Sequence, residues 1–486
     1  MNLQNSLHLK IPFLELIQGL AKEKKRSIFL VGGSLRDCLL ERHVMDFDFA
    51  VSCGAIKCAQ EFCKKIKGAF VLLDEEHGCA RIVKKTKEGI LTFDFADFRG
   101  KTISDDLALR DFTINTLCVD VQKIAGNTIL LQAILSHDNA LEDIRSRKIS
   151  MVSVRSFKDD PLRLVRAFSL QATLDFSIDR KTLAQIKKDK DLLAQTAYER
   201  IRDEFFKILL SERAAPTLIL MDKVGLLEKI IPQIAVMFNV KQGGYHHLDV
   251  WKHSLEVVTQ LEKVFSEVKH DQDIKNYLEE PLAGVRNRLA LMKLAALLHD
   301  IGKPDTRRKE KKRMTFHGHE RVGRDISRPI ALMLKLSTDE RHILEDMVFW
   351  HLRPGYLSNF NIPSERAMFR YFRDTKKEAL SIALLSLADQ RSTRGPLTTA
   401  SKQKHHEKIA WKIIKRYLAK SKENPLKRLI TGHDLIRQLK LTPSPVFAKI
   451  LRAVEERQTL GEINTKTQAL VAAKAMVKKN KGRNIN

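Results

Sequence analysis

The chain has 486 residues, more than one hydrophobic core organises, so about three or four domains are expected. Hydrophobic residues make up 43% of it, which indicates a folded protein, and no apolar run is long enough to span a membrane. The 86 lysines and arginines exceed the 59 acidic residues, giving a net charge of +27 that reflects either a solvated lysine-rich surface or a polyanionic partner.

The six cysteines all fall in the first quarter of the chain. No two of them form a C-x-x-C pair, and nothing in the sequence resembles a secretory signal. Reduced thiols and a cytoplasmic location are therefore expected.

The first part of the chain is predicted to combine strands and helices. Short β-rich patterns occur at 26–33, 46–52, 69–73, 80–84 and 91–98, and an amphipathic stretch at 54–67 lies among them. From about residue 135 the β signal disappears. A helical period of 3.6 residues then follows at 158–174, 181–193, 197–211 and 215–228.

A glycine turn and two carboxylates follow the first of these strands. Phe-Leu-Val-Gly32-Gly33-Ser-Leu-Arg36 indicates a strand that enters a tight turn, and Asp46-Phe-Asp48-Phe indicates the next strand. Residues i and i+2 of a strand point to the same face, so the two aspartates project together. Paired carboxylates hold divalent metal, and a glycine turn that opens a helix binds phosphate through backbone N–H groups. The pattern predicts metal-assisted nucleotidyl transfer.

A third carboxylate is expected on an adjacent strand, where Asp94 and Asp97 are available. Their spacing of three places them on opposite faces of a regular strand, so only one can join the pair. Further along, Arg110 offers a planar donor fork for a triphosphate, and Asp111 and Asn115 can bond a ribose. A structural ion pair is the alternative interpretation of this second group.

Acidic and basic side chains recur at intervals of three where the helix predicted over 158–174 begins. Asp160, Arg163 and Arg166 are therefore predicted to share one helix face. From the residues alone, a helix cap with internal salt bridges explains the pattern as well as a binding face does.

Together these motifs resemble the class II tRNA nucleotidyltransferase and bacterial poly(A) polymerase family, in which G-G-x-x-R-D, D-x-D and R-R-D-F-T-I-N-A are signature motifs. The resemblance implies that an RNA 3′-hydroxyl attacks the α-phosphorus of CTP or ATP and releases pyrophosphate, assisted by two Mg²⁺ ions. It implies catalytic carboxylates at Asp46, Asp48 and Asp94, of which the first two bind the magnesium. It also implies nucleotide contacts from Gly32, Gly33, Arg36, Arg110, Asp111, Asn115, Asp160, Arg163 and Arg166.

The resemblance gives the neck residues the task of reading the incoming base. A carboxylate accepts from the amino group of C or A, and a guanidinium donates to the neighbouring ring nitrogen or carbonyl, whereas G and U present the opposite pattern. Two positions depart from the family pattern. Leu109 stands where an arginine is usual, and Ser169 stands where many members carry an arginine behind the reading pair. The segment 198–204 matches a family motif that supports the neck helices.

A histidine-rich helical region follows, with nine of the 16 histidines between residues 246 and 351. His253, the adjacent His299 and Asp300, and Asp389 form an H…HD…D pattern. Neutral imidazole with carboxylate suits a divalent transition metal such as Mn²⁺, Ni²⁺ or Co²⁺.

This segment resembles the HD-type metal phosphohydrolase domain that some bacterial members of the same family carry. His317, His319 and His351 are candidates for a second metal position. The natural reactions for an active domain are cleavage of 2′,3′-cyclic phosphates or phosphomonoesters. The alternative is an inactive helical domain that only supports RNA.

The resemblance covers nearly the whole chain and implies an α+β fold class, in which an α/β head with a mixed sheet precedes all-helical neck, HD and tail domains. The expected domains are a nucleotidyltransferase head at 1–148, a neck at 149–240, an HD domain at 241–395 and an RNA-binding tail at 396–486. The expected partners are the tRNA 3′ end, CTP and ATP, with no membrane. The surplus positive charge is then interpreted as an RNA-binding surface.

The length of one linker bears on which nucleotides are added. In CCA-adding members a flexible stretch separates the Thr-Phe-Arg strand from the Asp-Leu-x-Arg-Arg-Asp motif, whereas here only residues 100–104 separate Arg99 from Asp105. Members without that stretch include enzymes that add only CC. We therefore expect addition of C and/or A to tRNA, with completion of the terminal A in question.

Three alternatives remain open. Within the same class, the chain is a CC-only or A-adding enzyme, or a poly(A) polymerase. From a different class, it is an HD phosphohydrolase whose head is inactive and only binds RNA. The intact Asp46, Asp48, Arg110, Asp160 and Arg163 argue against an inactive head.

Overall fold

The computed structural model of the protein describes residues 5–137, 139–310, 313–423 and 426–481. Its contacts divide the chain into two compact units, Met1–Pro232 and Gln233–Asn486. The finer division into four domains stays a prediction. All six cysteines lie in described parts of the first unit, and none forms a disulfide. Within the described ranges, no helix is both long enough and apolar enough to cross a bilayer.

The described residues of the first unit form eleven strands and eleven α-helices. Its strands are β1 (Ser6–His8), β2 (Ile28–Val31), β3 (Asp46–Val51), β4 (Ala69–Asp74), β5 (Cys79–Lys85), β6 (Ile90–Asp97), β7 (Leu117–Asp120), β8 (Thr128–Leu130), β9 (Ile134–Ser136), β10 (Lys148–Ile149) and β11 (Ser177–Ile178). Its helices are α1 (Leu14–Glu23), α2 (Gly33–Leu39), α3 (Ala55–Ile66), α4 (Ile103–Ala108), α5 (Ala140–Arg145), α6 (Ser156–Asp159), α7 (Arg163–Leu174), α8 (Arg180–Asp189), α9 (Tyr198–Leu210), α10 (Ala214–Lys223) and α11 (Leu227–Ile230).

Seven strands of the head form one mixed sheet in the order β4–β5–β6–β3–β2–β7–β9. Strands β3 and β6 run parallel, whereas the other neighbours in the sheet are antiparallel. The mixed sheet followed by helices confirms the predicted fold class, and the five predicted strands and the helix at 54–67 are also confirmed.

One face of the central strand pair is aromatic and forms the core of the head. Phe47 and Phe49 of β3 stack on Phe93 and Phe95 of β6, with ring centroids 5.5 and 5.0 Å apart. Phe62 of α3 meets Phe93 edge to face at 5.1 Å, and all these rings are buried. Because side chains alternate along a strand, the aspartates of β3 lie on the opposite face.

The single helix predicted over 158–174 is wrong, because α6 ends at Asp159 and α7 begins at Arg163. Asp160 between them is extended, with φ −149° and ψ 100°. The ring of Pro161 disfavours the α conformation for the residue that precedes it, which explains the break. Asp160 therefore does not share a helix face with Arg163, and its carboxylate accepts the Leu162 N–H at 3.2 Å.

In the parts of the second unit that the structure describes, the elements are helices and two small hairpins. Its helices are α12 (Val250–Val268), α13 (Gln272–Leu278), α14 (Arg288–Leu298), α15 (Lys303–Thr306), α16 (His319–Met333), α17 (Thr338–Trp350), α18 (Arg353–Leu357), α19 (Glu365–Thr375), α20 (Ala379–Ser392), α21 (Ala400–Ser421), α22 (Gly432–Leu439), α23 (Pro445–Thr459) and α24 (Lys466–Lys481). Its strands are β12 (Pro281–Ala283), β13 (Arg286–Asn287), β14 (Arg308–Glu310) and β15 (Arg313–Thr315).

The expectation that strands end near residue 135 is wrong in detail. A parallel pair, β10 with β11, and two antiparallel hairpins, β12–β13 and β14–β15, occur later in the chain. These strands have only two or three residues each. Such lengths are too short to show a period of two residues, so sequence patterning does not detect them.

Candidate active sites

Three carboxylates lie together on the open face of the central strands. The parallel register pairs Asp48 of β3 directly with Asp94 of β6, and Asp46 lies two residues before Asp48 on the same face. Asp97 lies on the other face, where its carboxylate accepts the Ala55 N–H at 2.8 Å at the start of α3. Of the two candidates for the third carboxylate, the structure therefore brings Asp94 to the pair and not Asp97.

Arg81, which the sequence analysis missed, holds Asp94. It lies opposite Asp94 in the antiparallel register of β5 and β6, and its guanidinium donates two hydrogen bonds to the carboxylate at 2.8 and 2.7 Å. A basic residue placed opposite an acidic one in a predicted hairpin is a signal that could have identified this pair.

The shared environment changes the acidity of Asp48. Burial raises the pKa of this carboxyl to about 6, and the neighbouring charges of Asp94 and Asp46 act in the same direction. The positive charges of Arg110 and Arg166 oppose that shift. A carboxyl whose charged form is disfavoured by burial and by neighbouring acids fits a binding place for divalent metal, because the cation favours the charged form.

The glycine turn brings backbone close to the carboxylates. Gly32 has a φ of +74°, and a Cβ atom at this residue would lie 3.1 Å from Nη1 of Arg110 and 3.8 Å from Oδ2 of Asp48. The turn leads into α2, which begins at Gly33. Glycine at position 32 therefore allows both the left-handed backbone and the approach of the arginine.

Arginines and acidic side chains alternate around this turn. Nη1 of Arg36 donates to Oδ1 of Asn115, whose amide donates to Asp111 at 3.0 Å. Arg166 reaches the other oxygen of Asp111 at 3.1 Å. Burial alone would raise the pKa of Asp111, but the charge of Arg166 and the hydrogen bond from Asn115 hold it below its ordinary value.

Arg110 is held by a partner that the sequence analysis did not name. Its Nε and Nη2 atoms each lie 3.0 Å from Oδ2 of Asp106, one helical turn earlier in α4. The backbone N–H of Arg99 donates to the other oxygen of Asp106 at 3.2 Å. Asp106 therefore connects the end of the β6 strand segment to the arginine that faces the carboxylates.

The neck residues predicted to bind the base, Asp160 and Arg163, form hydrogen bonds and an ion pair with other residues of the protein. Arg163 is buried and donates to the carbonyl of Leu109 at 2.9 Å, to that of Arg110 at 3.3 Å and to Oγ of Ser156 at 3.0 Å. Asp160 forms an ion pair with Arg200 at 3.0 Å. The Arg163 side chain thus ties the neck to the segment that carries Arg110.

A buried acid lies behind this group, at the position where Ser169 replaces a usual arginine. Oγ of Ser169 donates to Oε2 of Glu204, which is itself buried. Lys207 contacts the other oxygen of Glu204 at 2.8 Å. A lysine one turn along α9 thus supplies the positive charge beside this acid, and Glu204 links α9 to Ser169 of α7.

All the head and neck residues predicted for the site line one cavity of about 660 Å³. The same cavity is lined by Arg81, Arg99 and Lys207, three cations that the sequence analysis did not assign to the site. The predicted residues that it brings together are Gly32, Gly33, Arg36, Asp46, Asp48, Asp94, Arg110, Asp111, Asn115, Asp160, Arg163 and Arg166.

The second unit contains two groups of metal-ligating side chains. His253, His299 and Asp389 present ligand atoms that lie within 4.8 Å of one another, and so do Asp300, His319 and His351. The predicted second position thus receives His319 and His351, while His317 is exposed and belongs to neither group. Asp300, predicted beside His299, belongs to the second group.

Asp300 faces both groups. Its Oδ2 lies 3.2 Å from Nε2 of His299, and its Oδ1 lies 3.3 Å from Nε2 of His319. Nζ of Lys303, a residue that the sequence analysis did not assign to the site, approaches Oδ2 at 2.6 Å. A carboxylate in this position can bridge two cations.

The histidines are oriented for metal binding by the backbone. Nδ1 of His299, His319 and His351 lies 2.8, 2.7 and 2.7 Å from the carbonyls of Ala296, Phe316 and Val348. Because a carbonyl only accepts, each Nδ1 carries the proton and each Nε2 turns its lone pair to the centre. Among the described residues, Nε2 of His299 is buried without a well-aligned hydrogen-bond partner, whereas Oδ2 of Asp300 is contacted by Lys303.

The pKa values of His351 and Asp389 fit the same purpose, whereas His299 differs: burial alone would lower its pKa, but the charge of Asp300 raises it. Burial lowers the pKa of His351 to about 3, and the charges of His299 and His319 act in the same direction. Burial alone would raise the pKa of Asp389, but the hydrogen bond with His253 holds it well below its ordinary value. Neutral imidazoles and ionised carboxylates are the forms that bind divalent metal.

We predict that Asp48→Asn stabilises the metal-free protein at neutral pH. The pKa of Asp48 in the folded protein, about 6, lies above its ordinary value of 3.8, so its stabilising protonated form is lost as the pH rises between these values. Above pH 6 the asparagine removes the cost of the buried charge, roughly 1–2 kcal/mol after allowance for partial solvent exposure. Calorimetric unfolding in EDTA at pH 4 and pH 7.5 measures it, and a gain that is equal at both pH values would contradict the prediction.

Comparison with known protein families matches four consecutive parts of the chain. The descriptions are "Poly A polymerase head domain" for residues 28–150, "Probable RNA and SrmB- binding site of polymerase A" for 175–238, "HD domain" for 250–394 and "tRNA nucleotidyltransferase domain 2 putative" for 380–473.

Relatives of known activity align over almost the full length. The chain is 31% identical over 453 residues to the CC-adding tRNA nucleotidyltransferase of Thermus thermophilus, covering 91% of this chain and 92% of the relative. It is 31% identical over 451 residues to the A-adding tRNA nucleotidyltransferase of Deinococcus radiodurans, covering 90% and 93%.

Solved structures share the fold. A CCA-adding enzyme in complex with ATP superimposes with a TM-score of 0.65 at 17% identity, covering 98% of this chain and 100% of that one. The Thermotoga maritima CCA-adding enzyme in complex with tRNA gives 0.61 at 19% identity, with the same coverage. From the near-complete alignment with relatives at 31% identity, the chain belongs to the tRNA nucleotidyltransferase family that shares the poly(A) polymerase head domain.

Proposed function

We propose that the head and neck transfer C and/or A from CTP and ATP to the 3′ end of tRNA. The observation that carries this proposal is the arrangement of Asp46, Asp48 and Asp94 on one face of the parallel strands β3 and β6. The 3′-hydroxyl oxygen bonds to the α-phosphorus, the bond to the β-phosphate oxygen breaks, and pyrophosphate leaves. The CC-adding and A-adding relatives support the same reaction class.

The three carboxylates fit a binding place for Mg²⁺. Asp46 and Asp48 would hold the ions, with Asp94 as the third acid. When bound, such ions lower the pKa of the attacking hydroxyl and neutralise charge on the leaving group. The raised pKa of Asp48, caused mainly by burial, makes its charged form costly in the metal-free site, and a bound cation favours that form.

In this proposal, different side chains around the carboxylates bind the triphosphate, the ribose and the base of the nucleotide. Arg36 and Arg110 lie beside the carboxylates and receive the triphosphate, while Asp111 and Asn115 bond the ribose. Asp160 and Arg163 read the base, with Arg166 beside them. Because Arg163 already donates to the carbonyls of Leu109 and Arg110, base reading by its guanidinium would be coupled to the position of the Arg110 segment.

The short linker between Arg99 and Asp105 supports addition of two C residues without the terminal A. Residues 100–104 pass directly into α4, whose first turn is closed by a capping box between Thr102 and Asp105. A Cβ atom at Gly100 would lie 2.4 Å from Cβ of Asp105, so the chain turns here with no room for a larger side chain. The linker contains no long flexible segment that could reshape the pocket from C to A.

We predict that the enzyme extends tRNA by two C residues and stops. Three tRNAs, ending before C74, after C74 and after C75, are incubated with Mg²⁺ and CTP, ATP or both under single-turnover conditions. Products are read at nucleotide resolution. Addition of the terminal A would contradict the role given to the short linker, and extension by many A residues would assign the chain to the poly(A) polymerases.

A second prediction distinguishes the contributions of Asp94 and Asp97, the two acids of β6, to nucleotide incorporation. Asp94→Ala is expected to reduce nucleotide incorporation by at least about a hundredfold, as removal of a group acting on the charged transition state does. Asp97→Ala is the matched control, since Asp97 also lines the cavity but is not paired with Asp48 in the strand register, and its carboxylate accepts the first N–H of α3. It is expected to retain activity within about threefold, with a modest loss of stability. Equal losses in both variants would exclude a special role for Asp94.

The second unit supports a second activity. We propose that His253, His299 and Asp389, together with Asp300, His319 and His351, form a centre for two divalent transition-metal ions such as Mn²⁺, Ni²⁺ or Co²⁺. The observation that favours it is the position of Asp300 between the two groups, 3.2 Å from Nε2 of His299 and 3.3 Å from Nε2 of His319. The reaction is hydrolysis of a phosphate ester, in which water adds to phosphorus and the released alcohol oxygen takes a proton.

Measurement of the bound metal tests this second proposal without an assay of enzymatic activity. Wild-type protein loaded with Mn²⁺ and passed through a desalting column is expected to hold about two ions per chain in addition to any held by the head. Asp300→Asn is expected to lose both ions, whereas His351→Ala loses one. His317→Ala is the matched control and should keep the wild-type content, because this exposed histidine belongs to neither group. Unchanged metal content in Asp300→Asn would overturn the shared-carboxylate centre.

A further inference from the structure

Two cavities of about 610 Å³ each lie along helix α21 in the second unit. The first opens over the metal-ligand groups and is lined by Asp300 and Asp389, and on its α21 side by Ser401, Lys402 and His405. The second is lined by Asn361, Ile362 and Pro363 facing Lys408, Trp411 and Lys412 of the same helix.

The two cavities adjoin each other. Ser358 and Asn359 line the first cavity, and the next residues of the same segment, 361–363, line the second. Nε2 of His405 lies 3.0 Å from the carbonyl of Phe360 and holds the segment against α21 at the junction. From Lys402 to Lys415 the helix rises about 20 Å, at about 1.5 Å per residue. We call the surface formed by these two neighbouring cavities, between residues 358–363 and α21, the α21 groove.

The α21 groove is strongly basic. Helix α21 carries six lysines and one arginine against one acid, Glu407, and all seven cations are exposed. Glu407 is occupied by Arg391 at 2.6 Å, and the nearby Glu365 pairs with Arg416 at 2.8 Å. Among the residues that the structure describes, Lys408, Lys412 and Lys415 form no ion pair. At positions i, i+4 and i+7 they lie in one row along the helix.

Apolar and aromatic side chains accompany this row of lysines. Phe360 and Ile362 are 59% and 74% exposed, and Trp411 is partly exposed within the second cavity. Cations that follow a backbone, next to rings on which bases stack, are the features of surfaces that bind single-stranded nucleic acid. An acidic peptide would use the lysines but has no bases to stack on Trp411.

We propose that the α21 groove binds the single-stranded end of an RNA and directs its terminal phosphate to the metal centre. This inference rests on the phosphohydrolase activity proposed above and deepens it. The substrate is a phosphate ester at a strand end, a 2′,3′-cyclic or terminal monoester phosphate, rather than a free mononucleotide. Lys402, which lies in the first cavity, meets the last phosphate, and Lys408, Lys412 and Lys415 meet those before it.

Site-specific crosslinking tests the groove in the full-length, EDTA-treated protein. The probe is an octanucleotide that ends in a 2′,3′-cyclic phosphate and carries 4-thiouridine at its last three positions. We expect adducts in the peptides that contain residues 401–415. In the Lys408→Ala/Lys412→Ala/Lys415→Ala variant, the probe concentration for half-maximal adduct formation should rise at least about tenfold. The slope of log affinity against log salt concentration should become shallower by about 2, since each lost phosphate contact removes about 0.7.

Three exposed lysines of α12 and α13 and the loop between them give the matched control, Lys263→Ala/Lys269→Ala/Lys275→Ala, which should leave these adducts unchanged. Trp411→Phe should keep the adducts, whereas Trp411→Leu should lower their yield about tenfold. Adducts found only in the first unit would overturn the proposal, as would an equal effect of both triple variants. Displacement of the probe by polyglutamate as readily as by unlabelled RNA would assign the groove to acidic peptides instead.

Hydrolysis of bis-p-nitrophenyl phosphate with Ni²⁺ separates this inference from the activity on which it rests. The groove triple variant should hydrolyse this small substrate at the wild-type rate, because it alters no metal ligand. Wild-type protein that forms the α21 adducts but hydrolyses no phosphate ester would refute the phosphohydrolase and leave the groove supported as an RNA-binding surface. Hydrolysis without α21 adducts would refute the groove alone.

Discussion

The parallel pairing of β3 with β6 is the constraint on which the nucleotidyl-transfer site depends. On one face of this pair, stacked phenylalanines of the two strands and Phe62 of α3 form a buried core. On the other face, the same register places Asp48 beside Asp94. A slip of one residue would turn phenylalanine to the cavity and aspartate to the core, which is prohibitive for both. The hydrophobic effect therefore sets the spacing of the carboxylates.

Bringing like charges together requires compensation, and the cavity provides it with arginines held by other acids. Arg81 donates to Asp94, Arg110 is held by Asp106, and Arg166 is held by Asp111. Arg110 and Arg166 therefore lie close to the carboxylates without depending on them for a partner, whereas Arg81 pairs directly with one of the three. Burial nevertheless keeps the pKa of Asp48 at about 6, so the compensation is incomplete without a cation. Such an uncompensated buried charge is expected at a site where a bound cation supplies the missing positive charge.

In the second unit, histidines and carboxylates are brought together in a buried place. Backbone carbonyls fix the Nδ1 protons of His299, His319 and His351, so that their Nε2 atoms face the centre. Asp300 lies between the two groups, and Lys303 contacts the same carboxylate. The same unit carries α21, whose exposed side is almost wholly basic. Part of the net charge of +27 thus lies on the helix next to the two groups of candidate metal ligands.

The sequence by itself determined the sheet strands of the head, the glycine turn, the Asp46–Asp48 pair and the residue types of both centres. These features depend on local periodicity and on motifs whose members lie close together in the chain. It also indicated the family, because the motifs and their order are specific to it. Sequence patterning did not predict the break at Asp160, where the restriction by Pro161 outweighs a helical pattern.

Only the tertiary structure decided which distant residues meet. The choice of Asp94 over Asp97 follows from the register of two strands separated by about forty residues, and the pairing with Arg81 follows from the next strand. The division of the histidines into two groups around Asp300, and the joining of residues 358–363 to α21, come from helix packing. Such contacts are set by the packing of buried side chains far apart in sequence, which leaves no periodic trace in any one segment.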